Sequence, residues 1–236
     1  MVPCDWNVSV FKNNGINPPV HAVPWGVDPE DYPYVPRHHG NKPYTFLWSG
    51  TPDRRKGWDV TYRAFTQAFG HNRRAQLILH FRQRPPGLER AEDPNVTIVD
   101  GVKTRAELRA MLAEADCFVF PSRGEGWGLP PREAASTGLP VIATNWSGLS
   151  QDIERYALPL SVARTSRADY GYWESDLGVW AEPDPKQLSA LMRWCYANQD
   201  AALRFGKQAS FWLHHYQNWE CSARALLRAV EDVWLC

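Results

Sequence analysis

FPSRGEGWGLPPREAASTGLPVIAT, residues 120–144, is the part of the chain from which its architecture is read. It begins where an apolar run, Cys117–Pro121, ends. Three glycines follow at alternate positions (Gly124, Gly126 and Gly128), then a helical segment from about Pro130 to Thr137, then a second β-rich run, Pro140–Thr144. Prolines near the helix start and Gly138 just past its end follow the known asymmetry of helix termini. Glycines at the carboxyl end of a strand let a ligand approach the backbone, and the helix start offers unpaired amides to an anion. The spacing is G-x-G-x-G rather than the dinucleotide fingerprint G-x-G-x-x-G, which argues against a nicotinamide cofactor.

The same alternation extends outward on both sides. β-rich runs occur at Tyr44–Ser49, Ala75–Phe81, Val96–Asp100 and Leu158–Val162. Trp58, Tyr62, Phe65 and Phe69 recur at helical spacing, as do Leu108, Met111, Leu112 and Ala115. Thr104 and Glu107 have the spacing of a capping box at the start of the second of these helices. From Asp184 onward the pattern is helical only. A start at Asp184, Pro185 and Gln187 leads into Leu188, Leu191, Met192 and Cys195 on one side. Helices over Asp200–Tyr216 and Asn218–Leu235 follow, the last with Ala223, Leu226, Leu227, Val230 and Val233 on its apolar face. Apolar strands alternating with helices predict an α/β fold: a Rossmann-like, mainly parallel sheet with helices on both faces, plus C-terminal helices. Asp28–Pro43 reads as a loop.

Glu125 and Glu133 bracket the glycine turn, one in the loop and one in the helix, placed to face a ligand from two sides. Carboxylates so placed accept hydrogen bonds from hydroxyls, as sugars and ribose present them. Glu133 alone also fits a solvated helix residue or a partner of the helix dipole. Trp127 fits either packing on a ligand or plugging the core. A second cluster, WSGTPDRRKGW over residues 48–58, also leaves a strand and enters a helix, so it falls on the same carboxyl-end edge. Beside an anion site, Arg54, Arg55 and Lys56 supply the charge-assisted bonds that two phosphates need beyond amides.

Composition narrows the classes. The 236 residues carry 26 Lys+Arg against 26 Asp+Glu, and this zero balance excludes nucleic-acid binding through bulk positive charge. At 44% hydrophobic and 22% charged residues, with 12 tryptophans, the chain is neither disordered nor of low complexity. No apolar run approaches the roughly 20 residues of a membrane helix, and Met1–Val10 lacks the pattern of a signal peptide. The five cysteines (Cys4, Cys117, Cys195, Cys221 and Cys236) form no C-x-x-C pair, which points to a reducing, cytoplasmic location without disulfides or zinc. Cys117 and Cys195 read as core residues. His38–His39 is a bare pair in a loop, too little for a metal site.

Together and in this order, the two clusters resemble the C-terminal, donor-binding domain of the family-4 retaining glycosyltransferases (glycosyl transferases group 1), which have the GT-B fold. The first part of the family pattern is a strand followed by Gly-Arg-Leu, three variable residues and Lys-Gly. The second is a strand ending in Pro-Ser, then Glu-Gly-Phe-Gly-Leu and a glutamate eight positions after the first. Here the second part reads Pro121, Ser122 and Glu125 through Leu129 with Glu133, Trp127 standing for phenylalanine. VPWGVD, residues 23–28, is similar to the family's hinge motif, with Trp25 for asparagine, and Asn218, Trp219 and Glu220 are similar to the opening of its last helix. The family arginine after the glycine falls on Thr51.

The resemblance implies a role for each matching residue. Lys56 contacts the donor diphosphate, with Arg55 or Arg54 assisting, and Glu125 orients the transferred sugar through its hydroxyls. Lys56, Arg55 and Glu125 thus form the catalytic set. Amides of Trp127, Gly128 and Leu129, beside Gly126, hold the diphosphate. Glu133 accepts from the ribose, the base lies against Gly101 and Val102, and Gly50 and Thr51 complete the donor site. The donor is a UDP- or GDP-sugar, the transfer of a hexose to an acceptor hydroxyl retains configuration, and neither a cofactor nor a metal is required.

GT-B enzymes have two Rossmann-like domains, and this chain has room for about one. The resemblance divides it into residues 1–22, a remnant of the N-terminal acceptor domain or a linker helix opened by Pro3 to Trp6, and residues 23–217, the nucleotide-sugar domain. Residues 218–236 form a helix crossing back toward the missing half. It implies a partner that supplies that half, or self-association through apolar surface on the last helix. Two other readings stay open: an incomplete donor-binding module awaiting its partner, and a nucleotide-sugar epimerase on the same fold. The Glu125/Glu133 pair favours transfer.

Overall fold

The six β-rich runs become the strands of one sheet in the computed structural model, which describes residues 1–38, 42–70, 72–85, 88, 91–170 and 176–234. They are β1 (Tyr44–Gly50), β2 (Ala75–Phe81), β3 (Val96–Asp100), β4 (Cys117–Phe120), β5 (Val141–Thr144) and β6 (Leu158–Leu160). Their order is β3-β2-β1-β4-β5-β6, and every neighbouring pair is parallel. Strand order therefore reverses between β1 and β4. In open α/β sheets the crevice outside the carboxyl ends at such a reversal is where ligands bind.

Alternation along the strands splits the core between two faces. Phe46 and Trp48 join Leu77, Leu79, Cys117, Val119 and Ile142 on one side, under α2 (Trp58–Phe69) and α6 (Pro185–Ala197). Leu47 joins Phe118, Phe120, Val141 and Ala143 on the other, under α3 (Arg105–Glu114), α4 (Leu129–Ser136), α5 (Ile153–Tyr156) and α7 (Gln199–Tyr216). Each fully buried phenylalanine here contributes about 1.5–3 kcal/mol. Helix starts follow the sequence signals. Thr104 and Glu107 form the reciprocal capping box of α3, and Asp184 accepts from the amides of Lys186 and Gln187 ahead of α6. The thiols of Cys117 and Cys195 are free and buried.

Several elements depart from expectation. Leu158–Val162 is not one strand: β6 stops at Leu160, and Val162 opens β7 (Val162–Arg167), which pairs antiparallel with β8 (Val179–Pro183). β7 is largely exposed, so it lacks the apolar alternation by which a strand is recognised. Pro121 and Pro140 lie just outside β4 and β5, because proline has no N–H for the ladder. The last helix, α8, runs Trp219–Trp234, and Asn218 caps it by accepting from the Cys221 amide at 2.9 Å. Leu235 and Cys236 lie outside the described residues. Ahead of the sheet, α1 (Asp5–Asn13) buries none of its residues and rests Trp6 on Trp146, ring centroids 4.7 Å apart.

Candidate functional site

Two loops leave the sheet side by side at the strand-order reversal. After β1, residues 54–56 make a 3-10 turn in which the Asp53 side chain accepts from the Arg55 amide at 2.8 Å. After β4, the glycine turn runs to α4. The loops are stitched together. The Arg123 amide donates to the Arg55 carbonyl at 2.7 Å, and Ser122 Oγ lies 3.0 Å from the same oxygen. Arg55 in turn donates to the Gly124 carbonyl at 2.6 Å. Gly57, at φ +73°, sits so close to the second loop that a Cβ there would collide with the Pro121 carbonyl.

The three residues expected to carry catalysis meet here. Glu125 Oε1 accepts from Lys56 Nζ at 2.7 Å and from the Ser122 hydroxyl at 2.8 Å, and pairs ionically with Arg55 Nη1 at 2.9 Å. The Glu125 main chain is fixed as well: its amide donates to Ser147 Oγ at 2.9 Å and its carbonyl accepts from the Gly148 amide at 3.0 Å. Arg54 stays exposed, its carbonyl taken by Arg123, and Thr51 is half-buried.

Gly128 ends the turn at φ +87°, where a Cβ would also collide with Leu149. The amides of Trp127 and Gly128 have no hydrogen-bond partner among the described residues, and Leu129, first in α4, has none within the helix. The Gly126 carbonyl accepts from the Cys4 thiol at 3.5 Å. Of the two roles open to Trp127, the side chain takes the second. It is buried, with Arg132 over its ring 3.8 Å from the centroid.

Beside the loops lies a cavity of about 230 Å³ between β1, β2, α3 and α4. Tyr32, Ser49, Gly50, His80, Val102 and Glu133 supply polar or backbone groups over an apolar floor. Burial raises the Glu133 carboxyl above the ordinary glutamate range, against a hydrogen bond from the Tyr32 hydroxyl. Burial likewise pushes Tyr32 up to about 12. His80 Nε2 lies 3.0 Å from the Gly101 carbonyl and Nδ1 2.8 Å from Ser49 Oγ. A carbonyl only accepts, so neutral His80 carries its proton on Nε2 and takes the Ser49 hydroxyl on Nδ1. Burial lowers the His80 pKa, which keeps that neutral form.

The structure thus gathers Gly50, Val102 and Glu133 on one cavity, with Gly101 behind its rim, and Lys56, Arg55 and Glu125 in an adjoining cluster. Glu125 is outside the cavity lining and turned to the two cations. Of the His38–His39 pair, His38 is exposed and His39 lies outside the described residues.

Sequence reasoning overlooks Tyr32, Ser49, His80, Arg123 and Arg132. A serine and a histidine interrupting apolar strands at their carboxyl ends, opposite one another in register, were a usable signal. Buried Arg123, which bridges Asp59 at 2.8 Å and Glu182 at 3.0 Å, has none, because its partners are distant in sequence.

The family model described as glycosyl transferases group 1 matches residues 43–165. The D-inositol 3-phosphate glycosyltransferase of Pseudarthrobacter chlorophenolicus is 35% identical over 131 residues, 50% of this chain and 30% of that protein. Sucrose-phosphate synthase from Thermosynechococcus elongatus superposes with a TM-score of 0.72 at 19% identity, over 99% of this chain and 58% of that one. Anabaena Alr3699/HepE, solved with UDP and glucose, does so with a TM-score of 0.73 at 12% identity, over 98% and 62% respectively. At such identities the structural likeness is one of fold. The chain spans less than two thirds of each of these proteins. Among the described residues no helix is long and apolar enough to cross a membrane.

Proposed function

The chain belongs to the glycosyl transferases group 1 family, and on that footing we propose that it is the donor-binding half of a retaining hexosyltransferase. One observation carries the reading. The two strands at the order reversal deliver Lys56, Arg55 and the unpaired amides of the glycine turn to one edge, beside a cavity whose carboxylate is Glu133. The diphosphate of a UDP- or GDP-sugar lies on the amides of Trp127, Gly128 and Leu129 and against the two cations. Its ribose hydroxyls donate to Glu133, its base follows Gly101 and Val102, and Glu125 takes hydroxyls of the sugar. Amides and cations together stabilise the departing diphosphate, so no bound metal is needed. The UDP bound by the Anabaena relative supports this ligand class.

The acceptor-binding half then comes from a partner or from a longer chain. Thr51, at the family's arginine position, favours a second reading, in which this chain binds donor without turning it over by itself.

A thermal-shift panel of nucleotides and nucleotide sugars tests both. A ligand of the native state adds about 2.7 kcal/mol at a hundred times its Kd. UDP or GDP, with one of its sugars, should raise the Tm, and Lys56→Ala should reduce the diphosphate response more than the nucleoside response. A panel with no response refutes donor binding. Transfer on supplying an N-terminal half separates the enzyme from the silent module.

A further inference from the structure

Arg132, the fourth residue of α4, is 0% exposed. Its guanidinium lies between the rings of Trp127 and Tyr156, 3.8 and 4.4 Å from their centroids. Among the described residues, only neutral oxygens accept hydrogen bonds from it. They are the carbonyls of Trp127, Gly128 (3.2 Å), Gly148 (3.2 Å) and Gln151 (2.9 Å), and Gln217 Oε1 at 3.2 Å. Among the described residues no carboxylate makes an ion pair with it, and Asp152 acts on it only at longer range. A buried cation is costly without an anion nearby.

Resting on the donor-binding reading, we propose that Arg132 is a positioning residue for the diphosphate, acting through the peptide planes on either side of Gly128. In a trans peptide the carbonyl of one residue and the N–H of the next point in opposite directions, and no cis bond occurs among the described residues. Arg132 Nη1 draws the Trp127 and Gly128 carbonyls inward. The N–H groups of Gly128 and Leu129 are thereby turned outward. A cation on the carbonyl also polarises the peptide and strengthens its N–H as a donor. A diphosphate on those amides is the counter-charge that the guanidinium lacks.

The isotope-labelled wild-type chain is titrated with UDP, GDP, uridine and guanosine and followed by NMR. The Gly128 and Leu129 amide protons should move downfield with the diphosphates and stay in place with the nucleosides. In parallel, Arg132→Lys keeps the charge but loses the fork, and Arg132→Met loses both. Diphosphate affinity should fall about tenfold in the first and further in the second, while nucleoside affinity stays within about twofold. Equal losses for diphosphate and nucleoside would make Arg132 a structural pin and overturn the inference. So would Gly128 and Leu129 amides that stay still while UDP or GDP saturates the wild type, a readout that needs no variant to fold. A wild type that binds neither diphosphate overturns the donor-binding reading itself, and this inference with it.

Discussion

On the proposed donor site, Glu125 and a diphosphate would compete for the same two cations. One carboxylate oxygen holds Lys56, Arg55 and the Ser122 hydroxyl, all within 2.9 Å. Replacing it with a neutral amide frees both cations for phosphate. Glu125→Gln should therefore bind UDP or GDP more tightly, roughly fivefold or about 1 kcal/mol, while losing transfer. Calorimetry checks the first half, and unchanged or weaker binding would show that the cations serve Glu125 alone. Glu133 gives a pH dependence. Its raised pKa means that it protonates earlier than an exposed glutamate as pH falls, and the ionised form is the better acceptor for ribose hydroxyls. Uridine affinity should drop on acidification with a midpoint above the ordinary glutamate value, and Glu133→Gln should flatten the curve. The stability effect runs the other way. Because the folded pKa exceeds the unfolded one, the contribution of Glu133 to stability is full below the unfolded value and is lost as pH rises through the folded value.

At the scale of elements, the site depends on how closely two strand-to-helix loops can approach. Gly57 and Gly128 both occupy left-handed backbone and both abut a neighbour where a Cβ would collide. Gly128→Ala should cost about 1–3 kcal/mol from backbone strain alone, with the Leu149 contact added, and should lower the Tm accordingly. An unchanged melting temperature would mean that the turn relaxes freely. The sheet, its helices and the positions of both motif loops were legible in the sequence, because apolar period, caps and glycines are local signals. The β7–β8 hairpin was not, since its solvated strands resemble loop. Nor was the fate of Trp127 and Arg132. An arginine at the start of a helix looks solvent-exposed until Gly148, Gln151 and Gln217 close over it from later segments. Tyr32 reaches Glu133 from a loop whose path has no periodicity. The motif residues carry local signals, whereas the shell that fixes them is set by tertiary packing.

At the scale of the whole molecule, α1 and α8 leave apolar side chains uncovered, among them Trp6, Phe11, Trp219, Leu226 and Leu227. Such surface favours association. Light scattering should show mass rising with concentration, and Leu227→Glu should suppress the rise; a strict monomer at high concentration would refute self-association. Everything proposed for function, however, converges on the carboxyl edge where β1 and β4 part. The most direct test is a crystal structure of the chain with UDP or GDP. The phosphates should lie on the Gly128 and Leu129 amides within reach of Lys56, with the ribose on Glu133. A nucleotide bound elsewhere, or none at saturating concentration, would contradict the assignment.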